Sequence, residues 1–257
     1  SPLSPSELAY LTTSLVLSPP IRPDSRAPTQ FRPLIAELDI LPSCNGSARM
    51  VWADGAECVA GIKAEVARTE DIFGVPTEVA EESWVEVGVD VQGLRDDDAL
   101  NVFLAGVVQE GLFAGDGGGL TSRLKLNDRF HWKVYIDVLL ITPPPTSPSL
   151  STTHPLTLLS LTTHLSLRST LLPFPTSQGN EDPTFSDDWD LATPLYPPEL
   201  TSLLPPISLL VMTIGPNILL DPSRDELSVA EGVWAVSLLP PVESKNRPRV
   251  VGVRTLE

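Results

Sequence analysis

The chain is expected to fold as an α+β protein, with helices packed on mixed sheets, and three features predict this. After a short N-terminal helix, strand-like runs come first and last in the 257 residues, with helical patterns and a further strand set between them. Trp84–Val91 (WVEVGVDV) alternates with a period of two and places Val85, Val87, Val89 and Val91 on one face, as a strand with one buried side does. Asp97–Phe113 repeats at helical spacing instead, through Leu100, Phe103, Leu104, Val107, Val108, Gly111 and Leu112.

The elements follow in order. Leu8–Leu17 reads as a short amphipathic helix, with Ser4 as N-cap, Pro5 in the first turn and Glu7 completing a capping box. Pro23, Pro28 and Pro33 have no N–H to donate, so Ile21–Pro33 is an extended, turning lead-in. Leu34–Leu41 and Ser47–Ala53 are strands joined at Asn45-Gly46. Asp54-Gly55 turns the chain again into a third strand, Glu57–Val66, which completes an antiparallel meander. Asp96–Asp98 sit at the positive end of the Asp97–Phe113 helix, and the glycine run Gly115–Gly119 ends it. Phe130–Ile141 is dense in β-branched and aromatic residues and is expected to be a central strand. Pro143–Pro145 stops it. Leu158, Leu161, Leu165 and Leu172 mark one face of a helix over Leu156–Leu172, although its serines and threonines lower helix propensity. Phe174–Pro206, rich in proline and acids, reads as a long connection with little regular structure. Four short strands then follow: Ile207–Ile214, Asn217–Leu220, Gly232–Leu238 and Arg249–Val253.

Composition narrows the function classes. A 42% hydrophobic content and a mean hydropathy near zero are those of a folded soluble protein, and no run reaches the ~18 apolar residues of a membrane span. No membrane partner is expected, and the N-terminus lacks the features of a secretory signal. Cys44 and Cys58 stand outside any CxxC or Cys/His cluster, which fits free thiols in a reducing, intracellular compartment better than a disulfide. A net charge of −16, with acids concentrated in Glu78–Glu86, Arg95–Asp98 and Glu181–Asp190, argues against broad, autonomous nucleic-acid binding. His131, His154 and His164 lack metal-ligand spacing, and there is no HExxH, GxSxG or GxGxxG. No metal or cofactor is expected.

Several stretches resemble one family in order and at compatible spacing. IRPDSRAPTQFRP followed by LPSCNGSARMVWADGAECVAGIKAEV resembles the opening of an RNase PH-type domain. VDVQGLRDDDALNVFLAGVV, KVYIDVLLI, LTTHLSLRSTLLP and IGPNILLDPSRDELSVAEGVWAVS are similar to its later segments, so the resemblance spans nearly the whole chain. Within the family it is to the non-catalytic ring subunits of the eukaryotic RNA exosome. The implied fold is RNase PH-like, of the ribosomal protein S5 domain 2-like kind. Residues 1–20 would form an N-terminal helix, 21–173 a first subdomain, 174–206 a connecting loop and 207–257 a second subdomain. Relatives continue into helices beyond the last strand, so the ending at Glu257 is expected to be incomplete.

The resemblance also implies partners. They are other RNase PH-like ring subunits, S1/KH cap proteins and an associated hydrolytic ribonuclease, with RNA threaded through a central channel. The implied role is structural, in 3′-to-5′ RNA processing and degradation (rRNA processing included), in nucleus, nucleolus and cytoplasm. Active members cradle phosphate in an Asp-Gly-Gly-Thr-Arg-like turn after the central strand. Here that place reads Thr142-Pro143-Pro144-Pro145-Thr146-Ser147-Pro148, without glycine, arginine or carboxylate, so no catalytic residue is expected. Asp137, on the central strand, is taken as a structural carboxylate receiving backbone or arginine hydrogen bonds. Gly115-Asp116-Gly117-Gly118-Gly119 lacks a following Lys-Ser/Thr and reads as a loop that ends a helix instead of starting one. Arg22, Arg26, Arg32 and Arg49 are expected in structural pairing with the many local acids, and Arg95 is the one named RNA-channel contact. The rival readings are an active phosphate-dependent 3′-to-5′ exoribonuclease and a stand-alone binding module of the same fold.

Overall fold

In a computed structural model, the protein is described over residues 3–69, 82–95, 97–115, 119–141, 154–177, 179, 181–197, 204–241 and 247–256. The N-terminal helix α1 (Pro5–Val16) carries the expected capping box, Ser4 and Glu7 each bonding the other's backbone. The first sheet holds β1 (Leu34–Leu38), β2 (Gly46–Trp52), β3 (Glu57–Arg68), β4 (Val85–Val91) and β5 (Phe130–Ile141), in the order β1-β2-β3-β5-β4. β5 is interior, antiparallel to β3 and parallel to β4. Between β4 and β5 run α2 (Ala99–Phe113), N-capped by the Asp98 side chain, and the short α3 (Leu120–Leu124).

Helix α4 (Leu156–Ser169) leads to a two-stranded ribbon, β6 (Leu171–Leu172) with β7 (Thr193–Pro194). The second sheet, β11-β10-β8-β9, is antiparallel throughout: β8 (Ile207–Ile214), β9 (Asn217–Leu220), β10 (Gly232–Leu239) and β11 (Arg249–Thr255). A one-turn helix α5 (Arg224–Leu227) bridges β9 and β10.

The layers explain the patterning. α4 touches β2 and β3 on one side and β8 on the other, so it lies between the two sheets. It is therefore buried nearly all round, through Leu156, Leu158, Leu159 and Leu167 and also Thr157, Ser160, Thr162, Thr163 and Ser166. The single leucine face read from Leu158, Leu161, Leu165 and Leu172 is corrected accordingly: Leu161 and Leu165 are only partly buried, and Leu172 lies in β6. The hydroxyls enter the core because each has a hydrogen-bond partner: Thr157 and Ser160 accept from backbone amides, and Ser166 donates to the Thr163 carbonyl. Thr162, Thr163 and Thr170 donate to carbonyls four residues back, at 2.7–2.9 Å.

The first hairpin also departs from expectation. β1 ends at Leu38, and Asp39 turns with φ 56°; residues 39–45 form the connection and Gly46 already belongs to β2. Gly46 serves close approach. A Cβ there would lie 2.4 Å from Thr170 Oγ1 and 2.7 Å from the Ser166 carbonyl, so only glycine lets the end of α4 sit on β2. Asp54-Gly55 does make the next turn, with Gly55 at φ 86°. The glycine run both ends α2 and, through Gly119 at φ 76°, caps the five-residue α3; residues 116–118 lie outside the described residues. In the long connection, β7 (paired with β6 just before it), one bridge (Pro175–Phe185) and a single 3-10 turn (Trp189–Leu191) are the regular structure among the described residues.

Gly46→Ala should cost about 1–3 kcal/mol by overpacking. Gly106→Ala, a helical position with nothing within 4 Å, should be neutral or gain about 0.5–1 kcal/mol. Urea unfolding of the two variants beside the parent measures both.

Candidate functional site

The arginines of the lead-in converge on two carboxylates of the second half. Arg22 is buried and forks onto Glu226, with Nε–Oε1 and Nη2–Oε2 both 2.8 Å. Glu226 also closes the capping box of α5, accepting from the Ser223 backbone N–H at 2.7 Å. Arg26 donates to Asp221 Oδ2 at 2.7 Å and to Asp24 Oδ2 at 2.5 Å. Arg32 donates to Asp221 Oδ1 at 2.5 Å and Asp54 Oδ2 at 2.6 Å while its guanidinium lies 4.0 Å over Trp52. Asp221, 2% exposed and at φ 49°, is thus held by two arginines at once. Arg49 pairs with Glu37 and Glu57 across the first sheet. Pairing with local acids holds for Arg49, but it is corrected for Arg22, Arg26 and Arg32, whose main partners lie about 190–200 residues away in sequence because the fold brings the end of β9 against the lead-in. The sequence signals were the Asp221-Pro222 step and the Ser223–Glu226 capping box; nothing local linked them to Arg22.

The cluster is directed inward, onto protein acceptors. Each guanidinium is committed to carboxylates or carbonyls, as Arg22 also is to Leu220 and Asp221 backbone oxygens. Its work is mechanical: it ties residues 22–32 to the end of β9.

The other candidates are dispersed. Arg95 lies in the turn between β4 and α2, its side chain 85% exposed and paired with Asp97 at 3.0 Å. Asp137 departs from the structural-carboxylate expectation. It is exposed on the face of the first sheet opposite the core and takes no hydrogen bond among the described residues; its strand neighbours in register, Gly61 and Gly88, have no side chain to offer one. Its Oδ1 lies 3.3 Å from where a Gly88 Cβ would stand. The expected cradle position, Thr142–Pro148, lies outside the described residues.

The histidines are separately occupied. His131 stacks on Trp84 at 4.2 Å, His164 Nδ1 meets the Pro205 carbonyl at 2.8 Å, and His154 Nδ1 accepts from Leu156 N–H. Among the described residues no group of three or more His, Cys, Asp or Glu is placed to hold a metal ion. Burial pushes the His164 ring down to about 4 and the Cys58 thiol up to about 12. Cys44 and Cys58 are both free; Cys58 faces the core, and Cys44 packs over Gly61 on the opposite face. No helix among the described residues is long and apolar enough to cross a membrane.

Two sheets enclosing α4, with this order of elements, define an RNase PH-like α+β fold. Solved structures agree. One chain of an archaeal exosome core superposes with a TM-score of 0.61 and 20% identity, over 98% of this chain and 85% of the other. One from the Archaeoglobus fulgidus exosome with RNA bound to the active site gives 0.61 and 19%, over 98% and 87%. No protein-family model matches the chain. Sequence relatives go further. Exosome complex component RRP42 of Saccharomyces cerevisiae is 34% identical over 240 residues, 91% of this chain and 81% of its own length. Exosome complex component rrp42 of Schizosaccharomyces pombe is 32% identical over 251 residues, 92% and 78%. The chain belongs to the RRP42 family of exosome complex components.

Asp221→Ala would leave Arg26 and Arg32 short of their shared buried anion and should cost about 3–5 kcal/mol, whereas exposed Arg95→Ala should stay within about 0.5 kcal/mol; chemical denaturation compares them. Because the folded His164 is held neutral, the unfolded chain binds more protons between pH 6.5 and about 4. His164's contribution is therefore complete above pH 6.5 and is lost as pH falls through that window. Its imidazole resonances in the folded protein should not titrate between pH 6 and 8. A midpoint inside that range would refute the assignment.

Proposed function

We propose that this chain is a non-catalytic subunit of an exosome core ring, forming part of the wall of an RNA channel for 3′-to-5′ processing and degradation. One observation carries the reading. Where the resemblance to active members calls for a phosphate cradle, residues 142–148 offer four prolines and neither glycine, arginine nor carboxylate. Prolines have no N–H with which to hold an anion. The supporting chemistry is consistent with this: the buried arginines are spent on Asp221, Glu226 and backbone carbonyls, and exposed Asp137 has no cationic partner among the described residues.

The ring partners in this proposal are other RNase PH-like subunits, with S1/KH cap proteins and a separate hydrolytic ribonuclease. Arg95 is proposed as an RNA-channel contact: its extreme exposure favours that role and its pairing with Asp97 weakens it. The chain is proposed to divide at the 174–206 connection into a first subdomain built on the five-stranded sheet and a second on the four-stranded one. The proposed sites of action are nucleus, nucleolus and cytoplasm.

Purification of the tagged chain from its own cells at moderate salt should recover RNase PH-like and cap subunits in near-equal amounts. The pure chain, given 3′-ended RNA and inorganic phosphate, should release no nucleoside diphosphates. Phosphate-dependent release would establish the exoribonuclease instead, and recovery of the chain alone would establish the stand-alone module.

A further inference from the structure

Trp189 is 58% exposed, whereas the other four tryptophans are buried or half-buried. It stands in the 3-10 turn Trp189–Leu191, fixed by the Asp188 side chain accepting from the Asp190 N–H at 3.0 Å. The indole forms one wall of a cleft of about 530 Å³ whose other walls include Asp39, Leu41, Cys44, Ser169 and Leu171. The turn and the 39–45 loop therefore face one another.

Two properties of the cleft select an occupant. Leu171 (40% exposed) lies in its wall, and Leu38 (50%) and Leu191 (52%) directly adjoin Asp39 and the Trp189 turn. Exposed tryptophan beside exposed leucines is what a protein contact leaves when its partner is away. The charged residues of the lining and those adjoining Trp189 in sequence are of one sign. Asp39 lines the cleft, and exposed Asp187, Asp188 and Asp190 flank the indole in sequence, while no arginine or lysine lines it among the described residues. Carboxylates around an aromatic face attract a cation to that face and repel phosphate.

We propose that this cleft docks a basic segment of another polypeptide, which lays an arginine or lysine over the Trp189 ring with its aliphatic stem against the leucines. The volume suits one long side chain and its immediate neighbours. Nucleic acid is the wrong ligand here, because its backbone would meet Asp39 in the wall and the exposed acids on either side of Trp189. This docking surface is independent of whether the chain is catalytic.

The test uses the full chain and a capped peptide carrying four arginines spaced by Gly-Ser, followed by tryptophan fluorescence at low salt. The peptide should quench Trp189. W189F should abolish that signal, and W189A should, by calorimetry, weaken binding about tenfold. The triple variant D187N/D188N/D190N should also weaken it about tenfold, and the control D225N/E231Q, exposed acids elsewhere, should leave it unchanged. Equal losses in the two acid variants would show attraction to net charge only and overturn the proposal. So would competition by a uridine oligoribonucleotide. In the purified native assembly, a photoreactive residue in place of Leu191 should cross-link to a lysine- or arginine-bearing segment of a neighbour. A cross-link to a segment without basic residues would overturn it, as would acrylamide quenching of Trp189 equal to that in the free chain.

Discussion

The bidentate pair between Arg22 and Glu226 is the contact on which the arrangement of the two halves depends. Both side chains are fully excluded from solvent, and charges so placed are tolerated only where geometry and further hydrogen bonds compensate their desolvation. Here they do. Glu226 takes the guanidinium fork on one side and the Ser223 amide on the other, so the same carboxylate ends a salt bridge and begins α5. Arg26 and Arg32 repeat the arrangement at Asp221. The lead-in, short of backbone donors because of its prolines, is thereby held largely by side chains, with main-chain bonds at Ile21 (to the Ser14 carbonyl, 3.0 Å), Pro28 (from Leu220 N–H, 2.8 Å) and Pro33 (from Ala53 N–H, 3.0 Å) beside them. Such a cluster contributes more to unique placement than to net stability, since each arginine has only one geometry that satisfies it.

A second dependence is steric. The core is built by enclosing α4 between two sheets, and the enclosure fails unless the helix can approach β2 closely. Gly46 permits the approach, Ser169 and Ser47 exchange hydrogen bonds across it, and Asn45 fastens the neighbouring chain by bonding the Leu171 carbonyl and the Ala64 amide. A dipeptide that reads as a hairpin turn is thus used as a packing seam.

Much of the fold was legible because it rests on periodicity. Val85–Val91 alternates in burial as its sequence does, and α2 buries Leu104, Val107, Val108 and Leu112 from the expected stripe while leaving Leu100 and Phe103 substantially exposed. α4 was legible as a helix but not in its orientation. Leucine spacing marks a buried face only when the opposite face meets water, and here a second sheet lies there. The arginine–carboxylate cluster was legible in kind but not in partner, since pairing over some 190 residues leaves no local trace. Asp137 was misread for the converse reason: position on a central strand says nothing about which face is covered. Trp189 offered only an acidic, aromatic loop sequence, and its exposure became informative once the cleft beside it was seen.

The brevity of β9 has an outcome of its own. Four residues pair with only the far end of β8, so the amides of Ser208 and Leu210 lie beyond the reach of any strand on that side. Ser160 and Thr157 of α4 accept from them, at 2.7 and 2.9 Å. Two hydroxyls therefore take the place of a missing strand. An exposed ladder there would be a template for stray β-pairing during assembly, and the helix conceals it with side chains whose low helix propensity made them look like a weakness.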